Sequence, residues 1–227
     1  MLDYSDVYDP DFGYDAIISD ETAKTLEKYV EKGTSILDIG CGTGRVSSIF
    51  RSNKVTLLDQ SKKYLEIASK KVNLENIMQG KFLDLNIDKK FDNIFILNFI
   101  HEQENTHLII EKARKLLDTN GKLFISFPNP QSLHRLAGEK MSLIDNSNDS
   151  ISDRAKNLGT LKMIKEDIIK EILVKNNLEV TEVVGICFKP YPNEVMEKLD
   201  KKIVEKLNQL APKINDYSAM KLLIVSN

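Results

Sequence analysis

The stretch Ile36-Leu37-Asp38-Ile39-Gly40-Cys41-Gly42-Thr43-Gly44-Arg45 decides how the rest of the chain is read. Three apolar residues, Ile36, Leu37 and Ile39, run into glycines at alternating positions, and residues 45–50 then carry a helical pattern. A strand that enters a glycine loop and leaves it as a helix lets the backbone approach a ligand with no Cβ in the way. Asp38 lies inside the apolar strand, where a carboxylate packs badly, so its charge is expected at the strand's carboxyl end, facing a cationic group. The spacing is G-x-G-x-G with an acid two residues ahead, whereas dinucleotide sites use G-x-G-x-x-G. The ligand this predicts is a nucleoside carrying a positive amine, without a pyrophosphate.

Away from this loop, short apolar runs alternate with helical patterns. Strands are expected at Ser35–Ile39, 54–58, 76–79, 91–98 and 122–127, with helices at 45–50, 62–71 and 104–117, the last closed by Asn120-Gly121. Ahead of them, Asp20 can cap a helix that carries Ala23, Leu26, Tyr29 and Val30 on one face and stops at Gly33. The alternation implies an α/β fold, with a parallel sheet, helices on both faces and a ligand site beyond the carboxyl ends of the strands. Residues 129–160, rich in Asn, Ser, Asp and Gly, break the rhythm and read as a substrate lid. A helix at 165–176, a strand at 179–188, a long amphipathic helix near 193–210 and a last strand at 220–225 complete the chain. Val195, Leu199, Ile203, Leu207 and Leu210 make one apolar stripe on that long helix, which either covers the sheet or meets a second subunit in a homodimer.

A length of 227 residues with 41% hydrophobic content suits a single α/β domain spanning 1–227. The net charge of −2 and the lack of a long basic block give no nucleic-acid footprint, so no nucleic-acid partner is expected. No apolar run approaches a membrane span, and the acidic N-terminal stretch is unlike a signal peptide, which places the protein in the cytoplasm. Cys41 and Cys187 suggest neither a disulfide scaffold nor a metal site.

The D-x-G-x-G-x-G pattern resembles motif I of the class I S-adenosylmethionine-dependent methyltransferases, and three further segments stand in register with it. Asp59 ends the second strand, where an acid can accept two hydrogen bonds from a ribose diol; a helix N-cap role for Asp59, Gln60 or Ser61 is the alternative. In the family, an acid after the third strand takes a hydrogen bond from the adenine amino group while an apolar neighbour covers the ring. Asp84 and Leu85 occupy those positions. The fourth strand with the turn that leaves it, Phe91 to Glu102, resembles motif IV, with Asn98 lining the pocket floor and His101-Glu102 in the reverse of the order many members show. The N-P-P-Y and Pro-Cys signatures of nucleic-acid base methyltransferases are missing. The resemblance implies a Rossmann-like doubly wound seven-stranded sheet with an antiparallel C-terminal strand, a lid insertion (residues 129–164) after strand 5, and S-adenosylmethionine as cofactor. Asp38, Gly40, Cys41, Gly42, Gly44, Asp59, Gln60, Asp84, Leu85 and Asn98 would form the cofactor site. Residues 1–33 would fold over the cofactor, with a hydroxyl from the cluster Tyr4, Tyr8 and Tyr14, here Tyr14, reaching its carboxylate.

Phe127-Pro128-Asn129-Pro130-Gln131-Ser132-Leu133-His134-Arg135 and the later Gly159-Thr160-Leu161-Lys162-Met163 look like a bacterial subgroup that methylates small molecules in sugar, polysaccharide or secondary-metabolite pathways. The second element departs from that subgroup: Thr160, Lys162 and Ile164 stand where it has His, Arg and Tyr. Methyl transfer to a small-molecule oxygen or nitrogen is therefore the leading reading. A non-catalytic cofactor-binding relative serving as partner or regulator, and an RNA or protein methyltransferase, are the alternatives. A hydroxyl acceptor needs a general base. Of the three histidines, His134 is placed as base or substrate contact, with lid packing as its alternative; His101 comes second, and His107 is read as solvated. Arg154 and Lys162 could bind an anionic substrate.

Overall fold

The computed structural model describes residues 4–6, 8–157 and 159–227; the side chains of Tyr4 and Arg154 lie outside the described set. Seven strands, β1 (Ser35–Ile39), β2 (Lys54–Asp59), β3 (Leu74–Gln79), β4 (Phe91–Leu97), β5 (Leu117–Pro128), β6 (Glu179–Ile186) and β7 (Met220–Ser226), form one sheet in the order β3-β2-β1-β4-β5-β7-β6. The first five pair in parallel, while β7 slots between β5 and β6 and runs antiparallel to both. This is the Rossmann-like architecture with an antiparallel C-terminal strand. Strand order reverses between β1 and β4, so the carboxyl ends of these two strands open the crevice in which such sheets bind ligands.

Period-two alternation makes both faces of the sheet apolar. Ile94 and Ile96 of β4, Leu123 and Ile125 of β5, and Leu223 and Val225 of β7 belong to one core; Phe95, Phe124, Leu222 and Ile224 belong to the other. Helices α3 (Thr106–Leu116) and α6 (Glu166–Lys175) seal the first core through Ile109, Ile110, Ala113, Ile169 and Leu173. Helices α1 (Gly13–Leu26) and α2 (Lys62–Ala68), with α7 (Asn193–Met196) and α8 (Lys201–Asn208), seal the second through Leu26, Leu65, Met196 and Val204. At its centre Phe95 meets Phe124 edge-on, with centroids 5.5 Å apart, and Phe50 at 5.6 Å.

Several boundaries differ from the sequence reading. Residues 45–50 form only a short 3₁₀ turn, Ser47–Ile49, and the Ser47 hydroxyl is committed to Asp38. The first helix starts at Gly13, with Asp20 inside it and paired to Arg45, so Asp20 caps nothing. Asn120-Gly121 does not follow a helix but lies within β5, where the register against β4 shifts between Phe91 and Asn93. Gly121 suits that irregularity because a Cβ there would stand 3.0 Å from the Phe91 carbonyl. The long C-terminal helix is broken into α7 and α8, with Asp200 capping the second by accepting from Lys202 N at 2.8 Å. Its stripe splits too: Leu199 and Leu207 pack half-buried on the second core, while Val195, Ile203 and Leu210 are exposed, and Met196 and Val204 from outside the stripe supply the buried contacts. The stretch after β5 is also more regular than its composition suggested, carrying α4 (Leu133–Lys140) and α5 (Asp153–Asn157). Among the described residues no helix is long and apolar enough to cross a membrane, and no cluster of metal-ligating side chains occurs.

Because Phe95 is fully buried between two rings, Phe95→Ala is expected to cost about 3–5 kcal/mol of stability. Chemical denaturation would measure this, and a loss below about 1 kcal/mol would contradict the assigned centre of that core.

Candidate cofactor and acceptor site

A cavity of about 920 Å³ lies over the switch point, and Asp38, Gly40, Cys41, Gly42, Asp59 and Gln60 line it from the ends of β1 and β2. Gly40, Gly42 and Gly44 all have positive φ (+71°, +51° and +70°), a conformation that residues with a Cβ rarely adopt. Space adds to this constraint at two of them. A Cβ on Gly40 would stand 2.5 Å from the Phe99 ring, and one on Gly44 would stand 2.8 Å from Ala68 of α2. Gly44 does not line the cavity but lets α2 close against the loop. The curve is held from β2: Gly40 N and Cys41 N donate to the Leu58 carbonyl at 2.8 and 3.1 Å, and Gly42 N donates to Asp59 Oδ2 at 2.9 Å.

Asp59 thus ties the loop as well as lining the cavity, and its other oxygen accepts from Ser61 N at 2.9 Å. The capping role left open above falls to Ser61, whose hydroxyl oxygen accepts from Tyr64 N at the start of α2. Asp38 is buried and accepts from Ser47 Oγ at 2.6 Å. Burial pushes its pKa up to about 7; the Ser47 hydrogen bond opposes the shift and the Asp59 charge adds to it. The Cys41 thiol is held far above its ordinary value by burial and by the carboxylates of Asp38 and Asp59.

Asp84 lines the cavity together with Phe82 and Leu83. Leu85 turns away and packs over Gly80, so the apolar neighbours of Asp84 in the cavity are Phe82 and Leu83, and the sequence reading is corrected there. Asn98 follows β4 in the left-handed region (φ 50°), its backbone N–H donating to the Ser126 carbonyl, and it is part of the cavity lining. Tyr14 does not reach the site. It is fully buried, and its hydroxyl donates to Asn208 of α8 at 3.3 Å, because a helix that starts at Gly13 turns this ring into the core. Tyr8, Pro10, Asp15, Ile18, Ser19 and Thr22 are the residues of the N-terminal segment that line the cavity.

A latch that the sequence reading missed binds this N-terminal segment to the glycine loop. Arg45 forks onto both oxygens of Asp20 (2.8 and 2.9 Å), while Asp11 accepts from Thr43 Oγ1 at 2.9 Å and from Lys71 at 2.7 Å. Its partners are far apart in the chain, and no local pattern announces them.

Neither favoured histidine lines the cavity. His101 is buried, its Nδ1 has no hydrogen-bond partner among the described residues, and burial lowers its pKa to about 4. His134, on α4, is lowered to about 3 by burial, helped by Lys189 and Arg135. His107 is exposed, as expected. The neighbour of His101, Glu102, does line the cavity. The His101 carbonyl accepts from Leu161 N and Lys162 N, which brings Leu161 and Gly159 to the cavity edge. Lys162 does not line it; its ammonium donates to the Glu104 carbonyl at 3.2 Å.

Two measurements test this geometry. Asp59→Ala removes a carboxylate from the wall and an anchor from Gly42, and is expected to weaken S-adenosylhomocysteine binding by about 1.5–3 kcal/mol; unchanged calorimetric affinity would take Asp59 out of the site. Asp38 provides the pH test. Its folded pKa of about 7 exceeds the ordinary 3.8, so between these values the folded protein holds more protons than the unfolded chain, and stability falls as pH rises through that window. A bound ammonium favours the carboxylate, so ligand uptake near pH 6 is expected to release a proton and to weaken on further acidification. Calorimetry in buffers of different ionisation enthalpy would read that proton, and zero release would exclude an ammonium opposite Asp38.

The family described as a methyltransferase domain matches residues 30–200. An uncharacterised protein of Methanocaldococcus jannaschii is 30% identical over 192 residues, covering 80% of this chain and 91% of that protein. A ubiquinone biosynthesis O-methyltransferase of Rickettsia typhi is 31% identical over 196 residues, covering 81% and 75% respectively. Among solved structures, an S-adenosylmethionine-dependent methyltransferase of Thermotoga maritima, described as a possible histamine N-methyltransferase, superimposes with a TM-score of 0.63 at 16% identity, covering 92% of this chain and 91% of that one. With motif, sheet order and sequence relatives in agreement, the chain belongs to the class I S-adenosylmethionine-dependent methyltransferases, and S-adenosylmethionine is its cofactor.

Proposed function

We propose that this chain methylates a small molecule at an amine nitrogen. The cavity fits the cofactor: the bare curve of Gly40 and Gly42 takes the amino-acid end, Asp38 faces its ammonium, Asp59 the ribose and Asp84 the adenine. S-adenosylmethionine supplies an electrophilic methyl on a sulfonium. The protein's work is then alignment, which in favourable cases lowers a barrier by about 7–11 kcal/mol.

The observation that carries the acceptor class is the charge and basicity of the cavity wall. Six carboxylates line it (Asp15, Asp38, Asp59, Asp84, Glu102 and Glu104) against two cations, Arg45 and Lys81, and Arg45 is paired with Asp20. No histidine lines it among the described residues, and buried His101 and half-buried His134 are weakened as bases to about 4 and 3. A sugar hydroxyl needs its proton drawn off as the bond forms, and among the described residues no histidine stands in the wall to take it, so only carboxylates could. A negative wall concentrates the ammonium form of an amine, which then gives its proton to a wall carboxylate or to solvent so that the free lone pair can attack the methyl. Glu102, in the turn after β4 and in the cavity lining, would accept a hydrogen bond from the amine N–H and turn its lone pair toward the methyl. The O-methyltransferase name of the Rickettsia typhi relative and the N-methyltransferase description of the Thermotoga maritima structure leave the acceptor element to the site's own chemistry.

Labelled S-adenosylmethionine offered with matched small amines, alcohols and phenols is expected to methylate the amines selectively. Glu102→Gln is expected to raise the amine KM roughly 10–100-fold, the equivalent of one hydrogen bond to a charged group, with cofactor affinity unchanged. Transfer to hydroxyls alone would overturn the amine assignment. Cofactor binding with no transfer to any acceptor would favour the non-catalytic alternative.

A further inference from the structure

Lys112 is the one residue of α3 whose ammonium is spent on a loop it does not belong to. Its Nζ donates to the carbonyls of Phe82 at 2.6 Å, Leu83 at 3.1 Å and Leu85, and stands 5.0 Å from the centre of the Phe82 ring. An ammonium has three protons, and here three carbonyls from four consecutive residues receive them. The segment so gathered runs between Gly80 and Leu85, contains Asp84, and has one backbone tie within itself, Asp84 N to the Lys81 carbonyl at 3.0 Å. Gly80, Lys81, Phe82, Leu83 and Asp84 all line the cavity. The loop's inward-pointing carbonyls would be costly without donors, and α3, packed through Ile109, Ile110 and Ala113 on the core, is a rigid place from which to supply them.

We infer that Lys112 is a positioning residue that sets the protein's selectivity for the adenine base, by holding the loop that carries Asp84 in the one curvature that turns this carboxylate into the cavity. The inference rests on the reading of Asp84 as the acceptor for the adenine amino group. Lys112 touches neither cofactor nor acceptor; it acts through the loop backbone. Burial lowers the Lys112 pKa and the Asp84 charge opposes that shift, consistent with a cation sunk beneath the loop and close to the carboxylate it serves.

The test compares S-adenosylhomocysteine with its inosine analogue, which carries a keto oxygen where adenine has the amino group. Calorimetry on the wild type is expected to show roughly a tenfold or greater preference for the adenine form, the size of one hydrogen bond to a charged acceptor. In Lys112→Met that preference is expected to fall to near unity, through weaker binding of the adenine form alone, with the inosine form unchanged. Lys112→Arg retains the charge but spreads its donors over a planar fork, and is expected to fall between the two. Lys115→Met, on the exposed side of the same helix, is the control and is expected to keep the full preference. Equal weakening of both ligands in Lys112→Met, or a preserved preference, would overturn the inference and leave Lys112 a general stabiliser. If Lys112→Met does not fold, Lys112→Arg with undiminished selectivity would overturn it as well. Absence of any preference in the wild type would instead refute the role of Asp84, and the selectivity role of Lys112 with it.

Discussion

The hydrogen bond from Gly42 N–H to the Asp59 carboxylate joins the two strand ends around which the site is built. β1 brings a loop that must curve through three left-handed residues to expose its backbone, and such a loop has little side-chain contact of its own with which to hold that shape. Asp59, at the end of the neighbouring strand, anchors it, while the Leu58 carbonyl takes the two amides just before. The same carboxylate is part of the cavity wall, so loop curvature and the proposed ribose recognition are mechanically one feature. Ser47 then secures Asp38 from behind, and α2 closes on Gly44 where no side chain intervenes.

From that junction the electrostatics follow. Burial disfavours the Asp38 carboxylate, and the charge of Asp59 adds to this, so Asp38 holds its proton up to about pH 7. A cationic amino-acid group would offset both the burial and the repulsion, which a pyrophosphate would not. The negative wall also includes Glu102 and Glu104, which is the charge on which the proposed amine acceptor rests.

Loops that do chemistry here are held by elements remote from them in sequence. Lys112 on α3 gathers the Asp84 loop, and Arg45 with Asp20 and Asp11 fastens the N-terminal segment across the glycines. Exposed ion pairs of the latter kind contribute little to global stability. Their consequence is local, in fixing where Tyr8 and Asp15 stand at the cavity.

The glycine spacing, the acids at the ends of β1 and β2 and the alternation of apolar runs are properties of short segments, and these determined the parallel α/β sheet, its crevice and the cavity lining at the ends of β1 and β2. Period-two and 3.6-residue patterns, and the need for a missing Cβ, act within a few residues and so are visible in one dimension. Which way Tyr14 and Leu85 point, whether 45–50 coils into a helix, and whether His101 and His134 see the cavity were decided only by tertiary packing. Each depends on what the rest of the chain presses against that residue: α8 against Tyr14, Gly80 beneath Leu85, and enough protein around the histidines to withdraw both proton and solvent. Burial is a property of the surroundings rather than of the residue, and no motif of residue types can encode it.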